Sequence, residues 1–146
     1  MHCLPFLHFF CLRLVVNIFY ALSRIYQKIV LKDVDKMDGL DFERYVMVVL
    51  RKQGYSNIKP TEKYDYGVDI IAQKDGIKWS IQAKRYSGLV KASAVRQVVT
   101  GLSVYGCDRA MVITNSTFSK VAVQLAQSNN CVLVDSWILS RMIREV

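Results

Sequence analysis

At 146 residues the chain has room for one domain of ordinary size with a short appendage, and it can bury a core without disulfide or metal staples. Its formal net charge of +8 favours polyanionic partners or an anionic membrane surface over acidic-tail or neutral-binder roles. Cys3, Cys11, Cys107 and Cys131 include no C-x-x-C pair and two of them lie in an apolar leader, which argues against a zinc site and a disulfide framework and for reduced thiols in a cytoplasmic chain.

Residues 4–22 (LPFLHFFCLRLVVNIFYAL) are almost wholly apolar, interrupted by His8, Arg13 and Asn17. About 20 such residues suffice to cross a bilayer as a helix. Arg13 near the centre costs roughly 2.5–3.5 kcal/mol, each strong apolar residue returns roughly 0.3–0.6 kcal/mol, and the sum leans narrowly toward insertion. Arg24, Lys28, Lys32 and Lys36 follow the stretch and no Lys or Arg precedes it, so an anchored chain would hold its remainder at the cytoplasmic, inner face of the cell membrane. A buried or partner-packed helix accounts for the same composition. A cleaved signal peptide fits less well, for want of a basic start. The compositional shift near Asp33–Lys36 divides the chain into an apolar leader, residues 1–36, and a domain, residues 37–146.

Within the domain, Asp38 is a good N-cap for a helix running to about Gln53, with Gly54 as its stop. Ile58–Thr61 reads as a short edge strand, the one setting that tolerates Pro60. Val68–Gln73 and Ile77–Lys84 read as two strands joined through Asp75-Gly76. A helix over Lys91–Tyr105 ends at Gly106, followed by a strand at Ala110–Thr114, a helix over Phe118–Ser128, a strand at Cys131–Val134 and a closing helix from Ser136. Alternating strands and helices in this second half point to parallel pairing, so the fold class is α/β with a mixed sheet.

Asp75-Gly76 is a strong two-residue hairpin signal. With those residues as the loop, Val68, Ile70 and Ala72 face Ala83, Ile81 and Trp79 on an apolar side of the hairpin. The other side sets Asp69 against Gln82 with Cβ atoms about 4.5–5.5 Å apart, and Lys84 diagonal to Asp69 opposite Gly67, which leaves space beside the lysine. A carboxylate, an amide oxygen and an ammonium on one patch suit metal-assisted phosphodiester hydrolysis. Asp69 supplies an anionic ligand, the Gln82 side chain or the Ala83 carbonyl adds a neutral oxygen, and Lys84 orients water or neutralises developing charge. A surface salt bridge across a hairpin is the plainer account of the same residues.

These residues carry a resemblance. Met37-Asp38-Gly39-Leu40-Asp41-Phe42-Glu43-Arg44-Tyr45, Gly54-Tyr55, Gly67-Val68-Asp69-Ile70-Ile71 and Ile81-Gln82-Ala83-Lys84-Arg85-Tyr86 resemble the catalytic domain of Mrr-like type IV restriction endonucleases, in the PD-(D/E)xK nuclease superfamily. Thr114-Asn115-Ser116 and the segment from Asn130 to Asp135 fit the same pattern, which covers about residues 37–140. The resemblance implies a restriction-endonuclease-like mixed sheet flanked by helices, Mg²⁺ dependence (with Mn²⁺ as substitute) and DNA cleavage. It assigns Asp69 to the metal-binding aspartate, Gln82 to the position filled by Glu, Asp or Gln, and Lys84 to the catalytic lysine. It also assigns Glu43 to the acidic residue of the first helix, which assists the metal. Leu40, Glu43, Met47 and Leu50 share one helical stripe, which would turn Glu43 inward and require a partner there; a half-exposed glutamate favoured by the helix dipole fits equally well. Tyr64 departs from the glycine of relatives, and Asp65 reads as a loop residue.

Arg85, Tyr86, Lys91 and Arg96 follow the catalytic strand and suit sequence-independent phosphate contact. Tyr86 packs against a sugar or stays at a core edge, and Gln97, on the same helix as Arg96 and counted with the DNA-contact residues, either points toward the site or is solvated. No second module for reading sequence or methylation is visible. Cutting both strands calls for two active sites, so a homodimer is the expectation from chemistry, while a non-cleaving nucleic-acid-binding module of the same fold, tethered or not, is the alternative.

Overall fold

The computed structural model describes the backbone of residues 4–62 and 66–145, and the side chains of residues 12–25, 31–62 and 66–145. Tyr64 and Asp65 lie outside the described residues, as do His2, Cys3 and the side chains of His8 and Cys11. Helix α1 (Leu4–Leu31) leads through a 3-10 turn (Val34–Lys36) to α2 (Gly39–Lys52), β1 (Ser56–Pro60), β2 (Ile70–Lys74) and β3 (Ile77–Lys84). Helix α3 (Ala92–Tyr105), β4 (Arg109–Thr114), α4 (Lys120–Ser128), β5 (Val132–Val134) and α5 (Ser136–Arg144) complete the chain. The five strands lie side by side in sequence order, antiparallel across β1, β2 and β3 and parallel across β3, β4 and β5. This is the mixed, helix-flanked sheet expected from the sequence.

Local chemistry sets the element ends. The Asp38 carboxylate accepts the Asp41 N–H at 2.8 Å and caps α2. The hairpin turn places Asp75 and Gly76 at φ +52° and +76°, the consecutive left-handed residues that a two-residue turn needs. Helix α4 begins at Lys120 rather than Phe118, because Ser119 caps it and Phe118 instead forms a short parallel bridge with Val90. Pro60 ends the edge strand, paired with Ile70.

Each sheet face carries its own core. One gathers Ile70, Ala72, Trp79, Ile81 and Ile113 beneath α2 (Phe42, Val46, Leu50) and α5 (Leu139). The other gathers Val68, Ala110 and Val112 beneath α3 (Val95, Val98) and α4 (Ala122). Leu31 and Val34 are 5% and 1% exposed in the first core, so packing begins ahead of Met37 and the end of the leader is built into the domain. Upstream, α1 lies against α5 and exposes Leu12, Val15, Ile18, Phe19, Leu22 and Ile25. Among the described residues no helix is long and apolar enough to cross a membrane, and the side chains of residues 4–11 lie outside that statement.

The hairpin register matches expectation from Lys74↔Ile77 to Ile70↔Ile81 and then stops. Asp69 does not continue it opposite Gln82: its N–H donates to the Ile81 carbonyl at 2.9 Å, so two successive residues address Ile81. Such a bulge shifts the alternation. Val68, expected beside Ile70 and Ala72, is buried on the opposite face against α3, where Gly101 makes room: a Cβ there would lie 2.2 Å from Val68 Cγ2. Thr61 holds the displaced strand, its hydroxyl donating to the Val68 carbonyl and its N–H to the Asp69 carbonyl at 3.0 Å. The expected Val68–Ala83 pair therefore does not form. Helix α2 carries a second correction. Its buried stripe runs through Phe42, Val46, Val49 and Leu50, leaving Leu40 52% exposed and Glu43 half-buried at the margin.

Candidate active site

The bulge gives Asp69 its position. In an unbroken ladder the Ala83 N–H would bond a carbonyl of the neighbouring strand, but the Val68 carbonyl is engaged by Thr61. The Asp69 carboxylate substitutes, its Oδ2 accepting the Ala83 N–H at 2.8 Å. This bond pins the carboxylate against the Gln82–Lys84 segment. Sequence reasoning brought the same residues together by cross-strand facing; the structure does so through a side-chain-to-backbone bond.

Gln82 is 4% exposed. Its Nε2 donates to Gln97 Oε1 at 3.2 Å, while its Oε1 is buried with no hydrogen-bond partner among the described residues. A buried acceptor left in this state costs about 1–3 kcal/mol, and a bound ion or water is the usual resolution. Gly67, at φ +71°, lies over this amide pair: a Cβ there would lie 2.5 Å from Gln97 Cβ and 2.9 Å from Gln82 Nε2. Its open space serves the two amides, not Lys84 as the sequence suggested.

Lys84 is the exposed last residue of β3, beside Thr114 of β4, and strand alternation puts it on the face of Gln82. It makes no ion pair among the described residues. Glu43 sits on α2, in the layer opposite α3. Among the described residues no three His, Cys, Asp or Glu side chains gather at one point. The donor set that fits a hard divalent cation is one carboxylate (Asp69) with an orphaned amide oxygen (Gln82), and the Ala83 carbonyl next to it in the chain.

The expected DNA-contact residues divide into two groups. Lys91, Arg96 and Gln97 are exposed at the start of α3, and Tyr86 is 46% exposed. Arg85 is half-buried and folded inward, its guanidinium donating to the Asp35 carbonyl and its Nε buried without a partner among the described residues. Asn115 braces the same loop, its Oδ1 accepting the Tyr86 N–H at 2.7 Å and its Nδ2 donating to Asp35 Oδ1 at 2.8 Å. Thr61 and Asp35 escaped sequence reasoning because neither has a local signature: one precedes the hairpin, the other belongs to the stretch assigned to the leader.

The family model for the catalytic domain of Mrr, described as "Restriction endonuclease", matches residues 34–143. No curated protein matches the chain. Solved structures share the fold: the DNA modification-dependent restriction endonuclease AspBHI (11% identity, TM-score 0.62, 84% of this chain and 35% of that one) is one. MspJI restriction endonuclease in complex with a 27-mer oligonucleotide is another (20%, 0.62, 82% and 31%), as is the protein of unknown function AF1548 (17%, 0.56, 64% and 55%). The chain spans about a third to about half the length of these proteins. By the match over most of its length, the chain belongs to the Mrr restriction endonuclease family.

Proposed function

We propose that the chain is a divalent-metal-dependent DNA endonuclease, of restriction or DNA-processing type, that hydrolyses phosphodiester bonds where the hairpin meets α3. The observation that carries this reading is the buried Gln82 Oε1, without a hydrogen-bond partner among the described residues, one residue from the amide that holds Asp69. Asp69, Gln82 Oε1 and the Ala83 carbonyl would hold Mg²⁺ or Mn²⁺, with Glu43 assisting from α2. Bound there, the ion supplies charge stabilisation at the phosphate and a more acidic water. Lys84, exposed and unpaired among the described residues, orients that water and neutralises charge on the scissile group. Lys91 and Arg96 contact backbone phosphates, which makes binding salt-dependent and sequence-independent; Tyr86 packs beside them. The complex of MspJI with an oligonucleotide supports DNA as the partner. Scission of both strands takes two copies of this one-site domain. In a plasmid assay, Mg²⁺ or Mn²⁺ produces nicked or linear DNA, and Asp69→Asn and Lys84→Ala abolish it. Folded, metal-loaded protein that retards DNA in a gel without cutting it favours a non-cleaving binding module instead.

The accompanying localisation is cytoplasmic, with the leader holding the domain at the inner face of the membrane. Two observations support it: among the described side chains, α1 exposes apolar residues on several sides, and Arg13, Asn17 and Arg24 share a polar stripe. Fractionation of cells carrying the full chain places it with membranes; recovery wholly in the soluble fraction overturns this part.

A further inference from the structure

If Mg²⁺ or Mn²⁺ binds as proposed, the Gln82 amide has to meet it with the correct end. A primary amide has an oxygen that can ligate a cation and a nitrogen, of similar size, that cannot. Both ends fit the same space, so some neighbour has to decide which end meets the ion. We propose that Gln97 is the positioning residue that makes this choice. Its Oε1 accepts from Gln82 Nε2 at 3.2 Å, which engages the nitrogen and leaves Gln82 Oε1 as the end without a partner among the described residues.

Two features hold Gln97 in place for this task. The Gly67 turn crosses directly above it, so that a Cβ on Gly67 would lie 2.5 Å from Gln97 Cβ and 3.1 Å from Gln97 Oε1. One residue along α3, the Val98 carbonyl accepts the hydroxyl of the fully buried Ser80 at 3.1 Å, tying this turn of the helix to β3. Gln97, though exposed on its outer side, is therefore held at its Cβ and Oε1 between the Gly67 turn and Gln82. Gln97 acts on the metal through Gln82, which differs from the DNA contact expected from its place on α3.

The inference rests on the metal reading, and its test separates the two. Mn²⁺ binding to the full chain is measured by calorimetry and by the paramagnetic resonance of free Mn²⁺, without DNA. Gln97→Met keeps the bulk and removes the acceptor; the loss of such an outer partner weakens metal by about tenfold or more. In a Gln82→Glu background both ends of the ligand are oxygens and nothing is left to orient, so adding Gln97→Met changes affinity by less than about twofold on the same reasoning. Circular dichroism confirms that each variant is folded. An unchanged affinity in Gln97→Met overturns the proposal, as does an equal loss in both backgrounds, which marks Gln97 as merely structural. A wild-type chain that takes up no Mn²⁺ overturns the metal reading and the proposal together.

Discussion

Asp69 does two separable jobs, and two substitutions at one position separate them. Its carboxylate is the anionic group of the site, and its Oδ2 is the acceptor for the Ala83 N–H at 2.8 Å. Ala83 is 7% exposed, so an Asp69→Ala chain strands a largely buried donor, at about 1–3 kcal/mol. For a chain of this size each kcal/mol moves Tm by roughly 2–4 °C, so Asp69→Ala melts roughly 2–12 °C below wild type. Asp69→Asn keeps an oxygen where Oδ2 stands and loses the negative charge, so it melts above Asp69→Ala and within about 1 kcal/mol of wild type. Neither variant cuts plasmid DNA. Thermal unfolding followed by circular dichroism in EDTA measures the first effect free of metal. If Asp69→Asn melts as low as Asp69→Ala, or if Asp69→Ala melts with wild type, the carboxylate does not replace the missing ladder acceptor and the account of the bulge is wrong.

Gly101→Ala places a methyl 2.2 Å from Val68 Cγ2 and destabilises the chain by about 1–3 kcal/mol, with partial rescue by Val68→Ala; a neutral Gly101→Ala would show that Val68 is not packed against α3. Asn115→Ala frees the Tyr86 N–H and the Asp35 carboxylate, and it weakens DNA retention in a gel shift while leaving Mn²⁺ affinity unchanged; a parallel fall in both would place Asn115 in the metal site itself. Burial pushes the Cys131 thiol up to about 11, above its ordinary value of 9.0, so the native chain resists alkylation there at pH 8, as peptide mapping would show. The same shift means that the unfolded chain gives up this proton first. The contribution is present below pH 9 and is lost as pH rises toward 11, so urea midpoints fall less steeply with pH in Cys131→Ala than in wild type.

The order of elements was readable because each boundary has a local cause: Asp38 caps α2, Asp75-Gly76 turns the hairpin, Gly106 closes α3 and Asp135 caps α5. The hairpin register followed from its turn alone as far as Ile70↔Ile81. It failed at Asp69 because the cause there is not local. Thr61, beyond the loop, competes for the strand's carbonyls, and Gly101, on a helix 32 residues past Asp69 in sequence, opens the space that Val68 fills. The structure brings Asp69 to the Gln82–Lys84 segment, but not in the geometry that the sequence suggested. Asp69 meets Ala83 rather than facing Gln82, and Gly67 clears room for Gln82 and Gln97. Arg85, read as a phosphate contact, folds onto Asp35, a residue assigned to the leader because the apolar run dominated its surroundings.

A crystal of the full chain soaked in Mn²⁺ and measured at the manganese absorption edge locates the ion. An anomalous peak is expected bonded to the Asp69 carboxylate and Gln82 Oε1, with the Ala83 carbonyl completing the protein ligands and Lys84 on the same side. A peak held by other residues, or Gln82 Oε1 bonded to protein or water while Mn²⁺ saturates the crystal, rules out this metal site.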